Sequence, residues 1–232
     1  MKFPKKVRKI LINNSHYHKL NPVDQQGVPT MRELKNIEEK ILDTALYLIG
    51  KQGTCNVPIR AIAKEAGVNV SAINYYFRTK EEMLRNTKEF FIENSIAIYS
   101  ILDQEEYDEE ERLVLFANEI MEYTIHYTGL GAMFREAEHL KEEDEVSKSI
   151  IQVTKELHHK MDQVLTRVTG ASPMVAKYNS IVFMAALIYP ADKQDLYHSE
   201  DISLENSFLH EKEKRLEYIR HVINLMKLPK EK

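Results

Sequence analysis

At 232 residues and a net charge of −4, with seven Gly and seven Pro, the chain is long enough for one large helical domain or a small domain on a bigger one, and poor in helix breakers. The single Cys55 excludes an internal disulfide, no paired Cys/His spacing suits zinc, and no apolar run reaches the roughly 18 residues of a membrane span, so a reducing cytoplasm is the expected compartment. Residues 1–80 carry 14 Lys/Arg against 6 Asp/Glu while residues 81–232 carry 18 against 30, a basic head on an acidic remainder, read either as a phosphate-seeking domain fused to a second domain or as chance asymmetry between two segments.

Residues 1–30 carry Lys2, Lys5, Lys6, Arg8 and Lys9, then a polar stretch with Pro22, Gly27 and Pro29, and show no sustained helical period. They read as a basic arm of the kind that enters a minor groove, or as an untranslated or vector-derived leader ahead of Met31. From Leu34 to Lys51, Ile37, Ile41, Ala45, Leu48 and Ile49 recur at three- and four-residue steps and predict a first helix, ended by Gly50 and Gly53. Pro58 suits the first turn of a second, short helix that buries Ile59, Ile62 and Ala63. Gly67 breaks the chain, Asn69 offers an N-cap, and a third helix runs from Val70 to about Tyr76 with Ile73 inward. Thr79 and Glu82 then form a capping box for a long fourth helix with Met83, Leu84, Phe90, Phe91, Ile98 and Ile101 on one side.

The acidic run Asp103 to Glu111 is a solvated loop and a helix start, where negative charge is favoured. Further helices are expected at about 109–127, 130–140, 143–168, 172–189 and 205–227, divided by Gly129, Gly131, Gly170, Pro173 and Pro190, the last within a polar loop. No alternating strand pattern of useful length and no internal repeat is visible.

Ala63, Gly67 and Ile73 stand at offsets of zero, four and ten, with Ile62 and Val68 beside them, which is the small core of a helix-turn-helix. The surrounding text is dense: ILDTALYLIGKQG from Ile41, IRAIAKEAGV from Ile59, SAINYYF from Ser71, and TKEEML from Thr79. This stretch, about a fifth of the chain, resembles the DNA-binding signature of the tetracycline-repressor (TetR) family. The resemblance implies an all-α protomer of about nine helices: a helix-turn-helix domain over 31–80, and a helical bundle over 81–232 for ligand binding and dimerisation. It implies a transcriptional regulator, a repressor released from operator DNA by a small-molecule inducer, working as a homodimer in the cytoplasm at the nucleoid. The alternative within the same fold is a DNA-bound protein whose acidic half recruits a protein partner. An enzyme lacks its parts here, with no phosphate loop, nucleophile motif or framed carboxylate pair, and no cofactor is implied.

Carried over position by position, the resemblance places Arg60, Val70, Ser71, Asn74, Tyr75, Tyr76 and Lys80 against DNA. Arg60, Tyr75, Tyr76 and Lys80 suit phosphate oxygens, Ser71 and Asn74 suit base edges, and Val70 suits a thymine methyl; either tyrosine is alternatively core. Two positions depart from the family pattern. Val57-Pro58 replaces the usual hydroxyl cap, removing a phosphate contact, and Asn74 replaces a frequent aromatic, so no operator sequence is borrowed.

The resemblance puts dimerisation on the last two helices, where Met174, Val175, Tyr178, Ile181, Val182 and Ala185, then Leu216, Ile219, Val222, Ile223 and Met226, form apolar stripes that would otherwise serve an internal core. Tyr99, Phe116, Tyr123, His126, Tyr127, Met133, Phe134, Met161, Phe183 and Met184 are candidates to line a cavity for a lipophilic or aromatic inducer, or simply core. His158 and His159 are adjacent and project apart, and His126 and His139 lack a partner one turn away, so no metal site is expected.

Overall fold

The computed structural model describes residues 34, 36–193, 209 and 211–228. The candidate arm at 1–30 and the loop and helix start placed at 194–208 lie outside them. Among the described residues there are nine α-helices and no strand: α1 (Ile37–Gln52), α2 (Ile59–Glu65), α3 (Val70–Phe77), α4 (Lys80–Ser100), α5 (Glu109–His126), α6 (Gly131–Leu140), α7 (Glu145–Thr169), α8 (Pro173–Asp192) and α9 (Lys212–Met226). A 3-10 turn, Ile101–Asp103, follows α4.

The starts and stops are largely those the side chains dictate. Asn36 Oδ1 accepts from the Glu39 amide at 2.9 Å and Asn69 Oδ1 from the Ala72 amide at 2.7 Å, each relieving one orphan donor of a helix start. Gly53 closes α1 in the left-handed conformation at φ 67°. Pro58 stands at the N-cap of α2 rather than inside its first turn. Thr79 accepts from the Glu82 amide at 3.0 Å, but the Thr79 amide donates to the Phe77 carbonyl, so only half of the expected capping box forms.

Two compact units divide the chain: the first joins residues through Ala97 with His126–Thr154, the second joins Ile98–Ile125 with residues from Lys155 onward. The division falls within α4, α5 and α7.

In the first unit Ile41, Leu46 and Ile49 of α1, Ile62 and Ala63 of α2, and Ile73 and Phe77 of α3 are buried together as the head's core. Gly50 does not stop α1. It lies inside the helix, because a Cβ there would overlap the Thr128 carbonyl oxygen, just as one on Gly129 would overlap the Gly50 carbonyl oxygen. The Tyr127 hydroxyl donates to Asp43 of α1 at 2.5 Å beside this backbone contact. Farther along, the Lys88 ammonium, on a side chain only 4% exposed, reaches Asp144 Oδ2 and Ser147 Oγ at 3.0 Å and Glu136 Oε1 at 3.2 Å. A buried charge held by two carboxylates and a hydroxyl fixes α4 against α6 and the start of α7.

The second unit contains a misread proline. Pro190 is inside α8 and buried, not in a loop. With no N–H it leaves the Ala186 carbonyl without its helical donor, and the Tyr218 hydroxyl of α9 supplies one at 2.8 Å. Asn179 of α8 donates to the Met226 carbonyl at 3.4 Å, a second tie between α8 and α9. The expectation that no segment reaches membrane length is also corrected: α8, 20 residues long with a window of mean hydropathy 1.3, suffices by length and composition. The reason is that α8 is apolar on two faces. One buries Phe183, Leu187 and Ala191; the other leaves Met174, Tyr178, Ile181, Val182, Ile188 and Tyr189 uncovered.

Candidate nucleic-acid interface

The turn between α2 and α3 is closed by the Val68 amide on the Ala63 carbonyl at 2.9 Å, with Gly67 at φ 66°, a conformation any larger residue would resist. That turn sets the outward face of α3. Ile73 and Phe77 point into the head, so Val70, Ser71, Asn74 and Tyr75, which lie on the other side of the helix, are exposed. Tyr75 is 80% exposed, which removes the core alternative for it. Tyr76 is half-buried and meets Tyr75 edge-on with ring centroids 5.2 Å apart, bracing it. Arg60 is exposed on α2.

Lys80 is not a loose cation. Its Nζ donates to Asn56 Oδ1 at 2.5 Å, tying the start of α4 to the α1–α2 connection. Arg78, which the sequence reading passed over, is exposed at the end of α3 with φ 51° and ψ −49°, and the amide after it donates to the carbonyl before it. That is the geometry of a classic γ-turn, a strained one. The signal that marks Arg78 in sequence is a basic residue directly following the aromatic run of α3. The face therefore presents hydroxyl and amide groups on α3, with Arg60, Arg78 and Lys80 around it, a layout that matches base edges flanked by phosphates.

The other candidate residues fall less neatly. Tyr99, Phe116, Tyr123, Met161, Phe183 and Met184 belong to the second unit, whereas His126, Tyr127, Met133 and Phe134 belong to the first. Two of the latter have packing roles: Tyr127 serves Asp43, and Phe134 meets Phe91 edge-on at 5.2 Å. The candidate cavity residues are thus divided between the two units, and those with packing partners also serve the core. Tyr99 packs on Phe116 at 4.6 Å, and burial raises its phenol far above the ordinary range. His126 lies between the rings of Tyr47 and Tyr127, 5.8 and 4.4 Å away, and burial pushes its imidazole down to about 4. Cys55 is buried, and burial followed by the adjacent Glu136 pushes its thiol up to about 12, so it stays protonated.

Of the stripe on α8, Met174, Tyr178, Ile181, Val182 and Ala185 are exposed and Val175 is half-buried. The stripe on α9 behaves otherwise: Ile219, Val222, Ile223 and Met226 are buried within the chain and Leu216 is half-buried, so these side chains are spent on the internal core. The outward apolar residues at that end are Leu225 and Leu228, which the stripe reading missed because they sit off its period.

The fold and this face define a helix-turn-helix protein with a long all-helical second part. The family model described as bacterial regulatory proteins, tetR family, matches residues 41–87. HTH-type transcriptional regulator BetI of Agrobacterium fabrum is 40% identical over 47 residues, 20% of this chain and 23% of that protein. The chain thus matches about a quarter of the length of the curated relatives it resembles. A TetR-family transcriptional regulator from Bordetella parapertussis superimposes with TM-score 0.57 at 16% identity over 83% of this chain and 95% of that one. A TetR transcription regulator from Haloarcula marismortui does so with TM-score 0.50 at 18% identity over 83% and 99%. At such identities the two structures speak for the fold. Motif and family match agree that residues 41–87 form a DNA-binding domain of the kind described as bacterial regulatory proteins, tetR family, and the two structures share the all-helical fold of the chain.

Proposed function

We propose that the chain is a DNA-binding transcriptional repressor that reads operator DNA with α3 as a homodimer and is released by a lipophilic or aromatic inducer held among the helices of its second unit. The observation that carries the reading is the outward set Val70, Ser71, Asn74 and Tyr75, aimed by a glycine turn and ringed by cations. Arg60, Tyr75, Tyr76 and Lys80 hold phosphates, Ser71 and Asn74 read base edges, and Val70 meets a thymine methyl.

Two such helices must sit about 34–36 Å apart to enter successive major grooves, which asks for a dimer. The uncovered stripe of Met174, Tyr178, Ile181, Val182, Ala185, Ile188 and Tyr189 runs at i, i+4, i+7, i+8, i+11 spacing, continues at i+14 and i+15, and provides an apolar seam for a second copy. Inducer binding acts by favouring a protomer spacing that no longer fits DNA.

The test is fluorescence anisotropy of the full chain with double-stranded fragments from upstream of its own gene and of neighbouring genes. Retention of one fragment over random DNA at physiological salt, with a two-to-one protein-to-site ratio, is expected. Failure to hold any duplex even at low salt overturns the reading. Retention that no small molecule relieves, with co-purification of a protein, would favour the partner-recruiting form instead.

A further inference from the structure

Phe77 closes α3 and is fully buried in the head, while Thr79, two residues on, accepts from the Glu82 amide at 3.0 Å and starts α4. A single residue reverses the chain between them, Arg78, at φ 51° and ψ −49°. Its own amide closes α3 on the Asn74 carbonyl at 3.1 Å, and the Thr79 amide donates across it to the Phe77 carbonyl, so the turn is fixed from both sides. Among the described residues the other four positions with positive φ are all glycines. A γ-turn of this hand crowds any Cβ, so an arginine there costs stability that a glycine would not.

Nothing inside the chain offsets that cost. The Arg78 side chain is exposed, and among the described residues its guanidinium has no hydrogen-bond or ion-pair partner. Other cations of the same unit are engaged: Lys80 donates to Asn56, Lys88 is enclosed by Glu136, Asp144 and Ser147, and Lys51 lies over the Tyr47 ring. A positive charge at the C-terminal end of α3 does meet a favourable helix dipole, but on an exposed side chain that gain is small and screened by salt. The use of an arginine at this position therefore lies outside the chain. Its place says where. Arg78 follows Ser71 by seven residues and Asn74 by four, the steps of the outward face of α3. A planar, permanently charged fork at the rim of a face of hydroxyl and amide groups matches a pair of phosphate oxygens.

We propose that Arg78 is a phosphate anchor at the end of α3, kept in a glycine's conformation because DNA binding requires its guanidinium there. The proposal rests on the DNA reading above and deepens it, adding a sequence-independent contact at the junction of α3 and α4 to those of Arg60, Tyr75, Tyr76 and Lys80. Because the turn pins the Arg78 backbone, the side chain starts from a fixed point and loses less freedom on binding than one on a mobile loop. Folding stability and DNA affinity should then move in opposite directions when this residue becomes glycine.

The test is Arg78→Gly, Arg78→Gln and Arg78→Lys in the full chain. Urea unfolding without DNA reads stability. Fluorescence anisotropy from low to physiological salt reads binding, with a fragment from upstream of the chain's own gene and with a random duplex. Arg78→Gly should raise the folded-to-unfolded ratio about threefold or more, since the strain relieved exceeds the cost of glycine's freedom. It should bind both duplexes about tenfold more weakly at physiological salt and reduce the salt slope by about one. Arg78→Gln, which keeps the strain and loses the charge, should bind like Arg78→Gly without the gain in stability, and Arg78→Lys should keep the salt slope. Unchanged affinity and slope in Arg78→Gly and Arg78→Gln overturn the proposal, and so does a less stable Arg78→Gly, which would show the arginine serving the fold. A loss confined to one duplex places Arg78 on a base edge and overturns the phosphate assignment. If the unaltered chain holds DNA and these variants match it, this inference alone falls. If the unaltered chain holds no duplex even at low salt, the DNA reading falls and this one with it.

Discussion

The helices α3 and α8 each leave more than one large apolar side chain uncovered, and they do so for different reasons. On α3 the exposed Val70 and Tyr75 alternate with Ser71 and Asn74 and lie among Arg60, Arg78 and Lys80, while on α8 Met174, Tyr178, Ile181 and Val182 adjoin one another with little polar interruption. Exposure alone does not say what covers a surface; the groups beside it do. Isolated apolar contacts among donors and cations fit a polyanion with methyl groups on its bases, and a continuous stripe fits its own copy across a twofold axis. The sharpest way to break the contrast is Ile181→Glu, at a residue 70% exposed and without effect on the internal core. It buries two like charges at a twofold seam, so sedimentation should show dimerisation weakened on the order of a thousandfold and operator affinity falling with it. A chain that remains dimeric with Ile181→Glu places the seam elsewhere.

A smaller effect is expected where α1 meets the segment after α5. Gly50→Ala forces a methyl into the Thr128 carbonyl, and neither side can yield by rotating a side chain because both are backbone. A loss of about 1–3 kcal/mol in denaturant unfolding is expected, against near-neutrality for the same change at a solvent-facing helix position. Because the contact seats α1 of the head, Gly50→Ala should also lower DNA affinity while leaving the oligomeric state intact. That separates the seating of α3 from the seam on α8. An unchanged unfolding midpoint would show that the two backbones part easily.

On the DNA face itself the roles divide. Asn74→Ala should cost about 1–3 kcal/mol of discrimination at one base pair, and Lys80→Ala should weaken all duplexes alike and reduce the salt slope by about one. The reverse pattern refutes the assignment. The outward position of Asn74 was legible in sequence because the helix-turn-helix depends on local spacing: Ala63, Gly67 and Ile73 fix its core, and a residue of α3 that faces away from Ile73 faces out. The partnership of Lys80 with Asn56 was not legible, since 24 residues separate them.

Outside α3 the sequence marks most helix ends well and helix faces poorly. Gly50 and Pro190 look like stops, yet one answers a backbone 78 residues away in sequence and the other relies on Tyr218 to satisfy the carbonyl it orphans. The stripe on α9 is a true period, but a period shows only that a face is apolar, not whether α8 or a second chain covers it.

The smallest expected effect is a pH dependence that has opposite signs in the two units. Burial holds the folded His126 imidazole at about 4, below its ordinary 6.5, so between those values the unfolded chain binds the proton and the folded chain does not. His126 therefore contributes stability above pH 6.5 that is lost as the pH falls toward 4. Glu119, held at about 7 against an ordinary 4.5, does the opposite, and its contribution is lost as the pH rises through that interval. His126→Phe keeps a ring between Tyr47 and Tyr127 and removes the titration, so thermal melts should lose part of their acid sensitivity between pH 6.5 and 4 while the decline toward pH 7 persists. Because His126 sits beside the contact of Tyr127 with Asp43, hydrogen exchange of the last turn of α1 should quicken on acidification in the wild type and less so in His126→Phe. Exchange that quickens equally in both would place the acid-sensitive group elsewhere.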